Sequence, residues 1–510
     1  MGVPLPELAA LLRYDPLAVP PLCVRGITCD SRLVKPGDLF VAVRGSRFDG
    51  HAFIGEACLK GAVAVVAEAQ EQAIPVPCLI VPDSRLALAE LAAHFYGHPS
   101  RSLEVVGVTG TNGKTTTACM IEHILRTAGH PTGLIGTVGV KYRTAVFPAH
   151  LTTPGADELQ AHLAAMRAEG LRFVVMEVSS QGVKTGRIHG LRFSFGVLTN
   201  ITLDHLDTHA SFQEYMAMKK RFLDMLAPDR TVFVNCDDLG ARTLLENLSA
   251  RVVTFGCHPQ SDLQITQLAN EPGGTRFTLL IRRPVHTHSL TVAPLTLPLG
   301  LRILGAHNAA NAAAAAGVAL ALGVEAKYVA KALATFPGVE RRLEVYRLGK
   351  VTVIDDTALN PASLEAIFAA VTHLPYRRLL VVYALRGRRG PAVNRINALV
   401  IAQWAQRLSF NALITTNAVY HVGPNDTVTP EEEAAFFATL RACGLTSLHF
   451  PDLKEALAAA LNRIRPGDLL LLLGAQGMDA GHALLQDLWT ERRANFVPVS
   501  PAEVALAGTP

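Results

Sequence analysis

The feature that most constrains the fold is the stretch GVTGTNGKTTT at residues 107–117. It lies between the apolar, β-branched run LEVVGVT and the helix-like segment KTTTACMIEHILRTAG. Glycines at such a junction allow backbone N–H groups to converge on an anion, and the N-terminus of the following helix adds partial positive charge. The order of strand, glycine-rich loop and helix therefore predicts an α/β domain whose mostly parallel sheet binds phosphate at the carboxyl ends of its strands.

The loop also carries the side chains that a nucleoside triphosphate requires. Lys114 can reach the β- and γ-phosphate oxygens, and the hydroxyl of Thr115 can hold Mg²⁺. Five residues, rather than the usual four, separate Gly107 from Gly113. A glycine turn that only caps a helix is the alternative, but Gly-Lys-Thr at a strand-to-helix junction favours a triphosphate site.

Two further segments are candidates for metal ligands. Glu177 ends the apolar run RFVVMEV, so its carboxylate could ligate Mg²⁺ beside the loop or could belong to a helix-capping turn. The segment TNITLDHLDTH at 199–209 is dense in His and Asp and suits either phosphate or metal contact or solvated side chains. The helical pattern of 215–223 places Met and Phe at core positions, and its lysines are by default exposed. The residue types alone leave these alternatives open.

Length and periodicity predict three α/β domains. A chain of 510 residues corresponds to about three domains of roughly 150 residues. The linker GHPSRS and the Pro-Gly pair after Phe336 divide it into segments 1–98, 99–336 and 337–510. Predicted strands include 39–43, 62–67, 78–81, 172–178, 194–199, 231–235, 351–354, 379–383, 412–415 and 468–473. The stretch 252–298 alternates in a β-type pattern and is predicted to be an antiparallel insertion or flank.

Composition argues against several classes of protein. A net charge of +4 without a long basic run is not typical of a nucleic-acid scaffold. The 8 cysteines contain no C-x-x-C pair, which argues against a zinc site or a disulfide framework and favours a reducing compartment. The N-terminal segment lacks the basic start of a secretion signal, and the Ala-rich tract 309–324 is too short to span a bilayer. We therefore expect a cytoplasmic protein with no membrane span and no nucleic-acid partner.

Six ordered motifs resemble those of the Mur ligases, namely GVTGTNGKTTT, LTTPGADEL, MEVSSQGV, LTNITLDHLDTH, YMAMKKRF and LGAHNAANAAAA. The resemblance is strongest to the MurE type, the UDP-N-acetylmuramoyl-dipeptide:amino acid ligases of peptidoglycan synthesis. The earlier segment ITCDSRLVKPGDLF is similar to the uridine-nucleotide-binding domain of the family, and the family phosphate loop has the same longer glycine spacing. The resemblance implies a UDP-precursor-binding N-terminal domain, a central ATP-binding P-loop domain, and a Rossmann-like C-terminal domain that binds the amino acid.

The resemblance also implies roles for individual residues. Nucleotide contacts are implied at Gly110, Thr111, Asn112, Gly113, Lys114, Thr115, Thr116, Asn308, Arg342 and Asp356. Substrate contacts are implied at Ser31 for the uridine and at Thr152, Thr153, Ser179 and Arg187 for the acceptor. One Mg²⁺ is implied on Thr115 and Glu177, and a second on Glu177, His205 and Lys219. Lys219 is implied to be carbamoylated by CO₂, and the implied catalytic residues are Lys114, Glu177, His205 and Lys219.

The reaction implied by the family joins an amino acid to UDP-N-acetylmuramoyl-L-alanyl-D-glutamate. The γ-phosphate of ATP activates the acceptor carboxylate as an acyl phosphate, and the amino group then attacks to give an amide, ADP and phosphate. Catalysis of this kind rests on positioning and on neutralising the charge of the transferred phosphoryl group.

The C-terminal segment departs from the family pattern. The altered stretches are VERRLE at 339–344, DTALNP at 356–361, YALRGRRG at 383–390, TTNAVY at 415–420 and AQGMD at 475–479. The Asp-Asn-Pro-Arg motif of diaminopimelate-adding enzymes is absent. Either another amino acid is added, with Arg386, Arg388 and Arg389 available to hold a carboxylate, or the C-terminal domain has lost acceptor recognition and the protein is a non-ligating regulator that binds UDP precursor and ATP. For the arginine run itself, the alternative to a binding role is a solvated loop.

Two more alternatives are a folylpolyglutamate-synthase-like ligase, which shares an Asp-x-Ala-x-Asn-Pro pattern, and a plain P-loop ATPase. The nucleotide-sugar motif Asp30-Ser-Arg32 argues against the folate branch. Because the phosphate and metal residues are retained, we favour an active ligase.

Overall fold

The N-terminal part of the chain forms a small parallel sheet. The computed structural model describes residues 2–45, 48–69, 74–202, 211–245, 248–271, 273–358 and 360–494. The N-terminal elements are β1 (Val3–Pro4), α1 (Leu5–Leu11), β2 (Cys23–Val24), β3 (Gly26–Thr28), β4 (Asp38–Val41), α2 (Ile54–Leu59), β5 (Ala64–Ala67), β6 (Cys78–Ile80) and α3 (Ser84–Phe95). Strands β3, β4, β5 and β6 pair in parallel in that order, and β1 pairs with β2 in a separate antiparallel ribbon.

The central part forms a large mixed sheet of eleven strands within the described residues. Its first elements are β7 (Glu104–Thr109), α4 (Lys114–Thr127), β8 (Thr132–Gly136), β9 (Gly139–Tyr142), β10 (Ala145–Phe147), α5 (Ala156–Ala168), β11 (Phe173–Glu177), α6 (Ser180–Lys184), β12 (Phe195–Leu198), α7 (Phe212–Asp224), β13 (Thr231–Asn235) and α8 (Leu239–Thr243). There follow β14 (Arg251–Gly256), β15 (Leu263–Glu271), β16 (Gly274–Ile281), β17 (Val285–His286), β18 (Thr291–Val292), β19 (Leu295–Leu301), α9 (Ala306–Ala321) and α10 (Ala326–Thr335). The strand order is β10-β9-β8-β11-β7-β12-β13-β14-β15-β16-β19.

The prediction for 252–298 was partly wrong. Strand β14 pairs in parallel with β13, and β15 begins parallel to β14, so the parallel sheet extends further than the alternating pattern suggested. The antiparallel flank begins only where β15, β16 and β19 pair. Small β17 and β18 pair as a separate ribbon. Alternation of polar and apolar residues marks the half-exposed edge of a sheet, but it does not give the direction of the neighbouring strand.

The phosphate loop starts from the middle of the central sheet. Strand β7 lies between β11 and β12 and is almost entirely buried, so it fixes the position where the loop leaves the sheet. Gly107 is needed within it, because an added Cβ would lie 2.5 Å from the ring of Phe222 and 2.9 Å from that of Phe193. The carboxyl ends of these three parallel strands therefore meet at one edge, as predicted.

The Ala-rich tract is a buried helix, as predicted. Small side chains let α9 pack closely on α4 and on the sheet, and at Gly317 an added Cβ would lie 2.4 Å from Leu263. No helix within the described ranges is long and apolar enough to cross a membrane.

The C-terminal part forms a third sheet with helices on both faces. Its elements are β20 (Glu344–Leu348), β21 (Val351–Asp356), α11 (Pro361–Val371), β22 (Leu379–Ala384), α12 (Pro391–Leu408), β23 (Ala412–Thr416), α13 (Pro430–Ala442), β24 (Leu448–Phe450), α14 (Leu453–Leu461), β25 (Leu469–Leu473) and α15 (Gly481–Ala494). The strand order is β20-β21-β25-β22-β23-β24, and all neighbours are parallel except β20 and β21. The predicted α/β fold is confirmed, while the boundaries at 98 and 336 stay predictions.

Candidate active site

A cavity of about 560 Å³ lies between the phosphate loop and the C-terminal sheet. The cavity is lined by side chains of the central and C-terminal parts of the chain, which we call the central unit and the C-terminal unit. Most residues singled out from the sequence are among them. Those that line it are Thr111, Asn112, Gly113, Lys114, Thr115, Thr116, Thr152, Glu177, Ser179, Lys219, Asn308, Arg342 and Asp356. Predicted residues from distant parts of the chain thus share one cleft.

The phosphate loop has a conformation that only glycine fits at two positions. Gly110 has φ +148°, and an added Cβ would lie 1.9 Å from Thr199 Oγ1. Gly113, which precedes α4, has φ +85°, and its Cβ would lie 2.5 Å from Asn311 Oδ1. Both the positive φ and the close approach disfavour any side chain here. The loop is therefore a backbone cradle at a helix N-terminus, which is the geometry that binds phosphate.

Lys114 lies over this cradle. Its Nζ donates hydrogen bonds to the carbonyl oxygens of Gly110 and Thr111, both at 2.9 Å. The ammonium group is thus held against the loop, and Lys114 lines the cavity.

An oxygen-rich cluster adjoins the first turn of α4. Thr115 Oγ1 donates to Glu177 Oε2 at 2.8 Å, and the backbone N–H of Thr137 donates to Glu177 Oε1 at 2.7 Å. Glu177 is only 1% exposed, and it ends β11 beside the loop, so the helix-capping alternative is not observed. A hydroxyl and a carboxylate in contact are hard oxygen ligands of the kind that Mg²⁺ prefers.

The residues predicted to contact the acceptor form a connected group next to Glu177. Thr153 Oγ1 donates to the carbonyl of Glu177 at 2.9 Å and contacts Ser179 Oγ at 3.1 Å. Arg187 donates to the carbonyl of Thr153 at 2.9 Å, and burial lowers the pKa of this guanidinium. Thr152 Oγ1 lies 3.2 Å from Thr137 Oγ1. Thr153 and Arg187 do not line the cavity themselves, but they position residues that do.

Lys219 is buried, contrary to the default expectation for lysines on this helix. It is 1% exposed, and its Nζ lies 4.5 Å from the centroid of the Tyr215 ring. The Tyr215 hydroxyl donates to Thr111 Oγ1 at 3.0 Å, so helix α7 is tied directly to the phosphate loop.

The remaining predicted residues differ in where they lie. Asn308 Nδ2 donates to the carbonyl of Leu304 at 2.8 Å in the first turn of α9. Ser31 lies in the N-terminal unit, where its hydroxyl donates to Glu56 at 3.0 Å. His205 lies outside the described residues. Within the residues that are described, no three His, Cys, Asp or Glu side chains lie close enough together to hold a metal ion.

Two adjacent arginines with different environments lie just before β20, the first strand of the C-terminal sheet. Arg342 lines the cavity and donates to Thr357 Oγ1 at 2.7 Å. Arg341 is buried and pairs with Asp355 and Asp479. Asp356 accepts N–H hydrogen bonds from Leu343 and Ala358, and its burial raises the pKa of the carboxyl group.

Residues 386–390, which we call the arginine loop, are partly buried, and two of their three arginines line the cavity. Arg386 is 7% exposed and lines the cavity together with Arg389, whereas Arg388 is exposed. The buried carboxylate of Glu432 accepts N–H hydrogen bonds from Arg388, Arg389 and Gly390 at 3.0, 2.7 and 2.6 Å. Glu432 thereby fixes the turn that presents Arg386 and Arg389.

Residues that were missed at the sequence level and that support the site include Thr137, Arg341, Asn360 and Glu432. Asn360 had a usable signal, because Asn-Pro followed by Ser marks a helix start, and the side chain of Asn360 does cap α11. Glu432 had the local signal of a capping box, because Thr429 stands three residues before it at the start of α13, but this pattern does not reveal its contact with the arginine loop. Thr137 and Arg341 act through partners that are distant in sequence.

Three family models match the chain in succession. They are "Mur ligase family, catalytic domain" at 24–96, "Mur ligase middle domain" at 108–319 and "Mur ligase, glutamate ligase domain" at 341–476. In fold, the chain is similar to a crystal structure of MurF from Acinetobacter baumannii, with a TM-score of 0.70 and 23% identity over 96% of this chain and 99% of that one.

Two relatives extend this likeness to the sequence. A UDP-N-acetylmuramoyl-L-alanyl-D-glutamate--2,6-diaminopimelate ligase of Geobacillus thermodenitrificans is 36% identical over 87% of this chain and 88% of its own. A UDP-N-acetylmuramyl-tripeptide synthetase of Deinococcus radiodurans is 34% identical over 96% of this chain and 97% of its own. Since the likeness covers all three sheets and the cleft between them, the chain belongs to the Mur ligase family.

Proposed function

We propose that the protein is an ATP-dependent ligase that forms an amide between the acceptor UDP-N-acetylmuramoyl-L-alanyl-D-glutamate and an amino acid, in peptidoglycan synthesis in the cytoplasm. The observation that supports this most is the shared cavity. It joins a phosphate cradle, a buried oxygen cluster and cationic side chains of a second unit, so a nucleotide, a carboxylate acceptor and an amino acid can meet there. Relatives over nearly the whole chain carry names of this activity.

Each group has a part in the proposed phosphoryl transfer. Lys114 and the N–H groups of the loop bind the β- and γ-phosphates and offset the charge that builds up on the transferred group. Thr152 and Ser179 orient the acceptor carboxylate, with Thr153 and Arg187 behind them. Attack of the carboxylate oxygen on the γ-phosphorus releases ADP, and attack of the amine on the acyl phosphate then releases inorganic phosphate.

The residues at the end of β11 fit a magnesium ion. Thr115 Oγ1 and Glu177 supply oxygen ligands, and Gly136 leaves room beside them, since an added Cβ would lie 2.3 Å from Glu177 Oε1. A bound Mg²⁺ would neutralise phosphate charge. The second proposed ion requires Glu177, His205 and Lys219.

Burial supports the proposed carbamate of Lys219. Carbamoylation needs the neutral amine, and a desolvated site disfavours the ammonium form. The reaction converts a cation that would repel a metal into an anionic oxygen ligand.

The C-terminal unit is proposed to bind the amino acid through its arginines. Arg386 and Arg389 line the same cavity as the phosphate loop, which favours ligation over a non-ligating regulator. Arg388 has no part in this, because it lies on the outside of the turn.

The test is a panel of amino acids, each incubated with ATP, Mg²⁺ and UDP-N-acetylmuramoyl dipeptide, with ADP and amide product measured separately. Amide with at least one amino acid, and loss of both products in Lys114→Ala, is the expected result. ADP without amide for every amino acid contradicts ligation, and ADP without the muramoyl acceptor identifies a plain ATPase. Amide formation only when a folate replaces the muramoyl acceptor identifies the folylpolyglutamate branch.

A further inference from the structure

A reciprocal amide pair joins the phosphate loop to the C-terminal unit. Asn112 Nδ2 donates to Asn360 Oδ1 at 3.1 Å, and Asn360 Nδ2 donates to Asn112 Oδ1 at 3.1 Å. The two residues are 248 positions apart in the chain. The pair bridges the two units at the cavity in which we place the nucleotide.

On the central side, Asn112 is anchored through its backbone. Its N–H donates to Asn200 Oδ1 at 2.9 Å, and its carbonyl accepts from Thr199 Oγ1 at 2.6 Å and from Asn200 Nδ2 at 3.0 Å. Every polar group of Asn112 thus has a protein partner. A displacement of its side chain is therefore transmitted to the backbone between Gly110 and Gly113.

On the C-terminal side, Asn360 belongs to a rigid helix start. It is fully buried, and its Oδ1 also accepts from the N–H of Ser363 at 3.0 Å, which caps α11. The first turns of α11 line the cavity with Ala362, Ser363 and Ala366. Asn360 is thus anchored in helix α11 of the C-terminal unit.

We infer that Asn360 is a positioning residue for the phosphate loop: its amide pair with Asn112 holds the C-terminal unit closed on the loop, so nucleotide affinity depends on that closure. The inference rests on the proposed function to the extent that the loop binds ATP. Arg342 and Asp356 of the C-terminal unit line the same cavity as the loop, so separating the two units would remove them from it. Breaking the pair therefore weakens nucleotide binding although Asn360 itself need not touch the nucleotide.

Asn360 has two roles that substitutions can separate: it pairs with Asn112, which we call the latch, and it caps helix α11. Asn360→Ser retains a good N-cap but is too short to reach Asn112, whereas Asn360→Ala loses both functions. We expect both variants to bind the ATP analogue AMP-PNP about tenfold more weakly than wild type. Only Asn360→Ala should also show a clearly lower Tm. As a matched control, Asp83→Ala removes the cap of α3 in the N-terminal unit and should lower Tm without changing AMP-PNP affinity.

A double-mutant cycle supplies the decisive measurement. If Asn112 and Asn360 act as one pair, Asn360→Ser should cause no further loss of AMP-PNP affinity in the Asn112→Ser background, whatever Asn112→Ser loses by itself. The inference would be overturned if the losses of AMP-PNP affinity in the two single variants multiplied in the double variant, or if Asn360→Ser bound AMP-PNP as tightly as wild type.

The nucleotide-free protein gives a second readout. Hydrogen–deuterium exchange across 110–113 should rise in Asn360→Ser and stay unchanged in Asp83→Ala, and equal exchange in wild type and Asn360→Ser would also overturn the inference. Neither measurement requires turnover. A wild-type protein that forms no amide therefore contradicts the proposed function while both tests of the latch can still be read.

Discussion

Burial changes the chemistry available to Lys219. The side chain is 1% exposed and belongs to the helix whose Tyr215 contacts the phosphate loop, whereas the next lysine, Lys220, reaches solvent and pairs with Asp224 at 2.8 Å. Two neighbouring lysines of one helix therefore have opposite surroundings. Lys220 therefore serves as the control for substitutions of Lys219.

We predict that Lys219→Ala lowers the rate of ADP formation by about 100-fold or more, because an anionic ligand for the second metal ion is lost. Short carboxylic acids such as acetate should restore part of the rate by occupying the vacated space. Lys220→Ala should keep the wild-type rate and show no response to acetate. Full activity in Lys219→Ala would refute the carbamate.

The buried pair of Arg341 and Asp355 predicts a pH dependence of stability. Burial raises the pKa of Asp355 from 3.8 to about 6, although Arg341 opposes the shift, and Oδ2 of Asp355 has no hydrogen-bond partner among the described residues. A folded-state pKa above the unfolded value means that this group's stabilisation is present below pH 4 and is lost as the pH rises through about 6. The loss amounts to about 1.4 kcal/mol for each unit of pKa difference.

Asp355→Asn should abolish this dependence, because the amide keeps the shape but does not titrate. Thermal unfolding of both proteins between pH 4.5 and 7.5 measures it. The Tm of the variant minus that of wild type should increase with pH, and other titrating groups cancel in the difference. A difference that is constant over this range would show that Asp355 is ionised throughout.

At the scale of elements, Glu432 connects helix α13 to the arginine loop. Its carboxylate accepts hydrogen bonds from three consecutive N–H groups of the loop and also from Thr429 N, with which it forms a capping box. A buried carboxylate thus occupies the kind of N–H cradle that elsewhere binds ligands. The position of Arg386 and Arg389 depends on a residue that does not itself line the cavity.

We predict that Glu432→Gln raises the KM for the amino acid about tenfold or more, since one side of the amide would turn its own N–H groups toward those of the loop. The KM for ATP should change little. Glu431→Gln, at the exposed neighbouring position, should leave both constants unchanged. Steady-state kinetics with the amino acid found in the panel measures this, and equal increases in both KM values would indicate general damage.

Local elements were predictable because their signals are local. Strand 231–235 and the phosphate loop between β7 and α4 follow from apolar runs, glycines and helix periodicity. The pairs Arg341 with Asp479 and Asn112 with Asn360 were not predictable, since they join residues 138 and 248 positions apart. The burial of Lys219 was also missed from periodicity, and only the family resemblance pointed to it.

At the scale of the whole molecule, helix α5 links the proposed acceptor-binding residues to the N-terminal unit. It begins at Ala156, shortly after Thr152 and Thr153, and at its start Asp157 Oδ2 accepts from the N–H of Cys29 at 3.2 Å. At its other end, Arg167 donates to the carbonyls of Tyr96 and Gly97 at 3.0 and 2.8 Å. One helix thus holds both a strand end of the N-terminal sheet and the linker that follows that sheet. Helix α5 thereby fixes the distance between the N-terminal sheet and the residues that we propose bind the acceptor carboxylate.

Arg167→Ala should loosen the linker without disturbing the phosphate loop, because the lost hydrogen bonds lie at the far end of α5. We predict faster subtilisin cleavage within 97–102 and a several-fold higher KM for the UDP-linked acceptor, with the KM for ATP unchanged. Arg126→Ala is the control, since this exposed arginine of α4 pairs within its own helix. If the KM values for acceptor and ATP rose together, α5 would be supporting the central sheet as a whole. If cleavage and both constants stayed at wild-type values, Cys29 and Asp157 would suffice to hold the N-terminal unit.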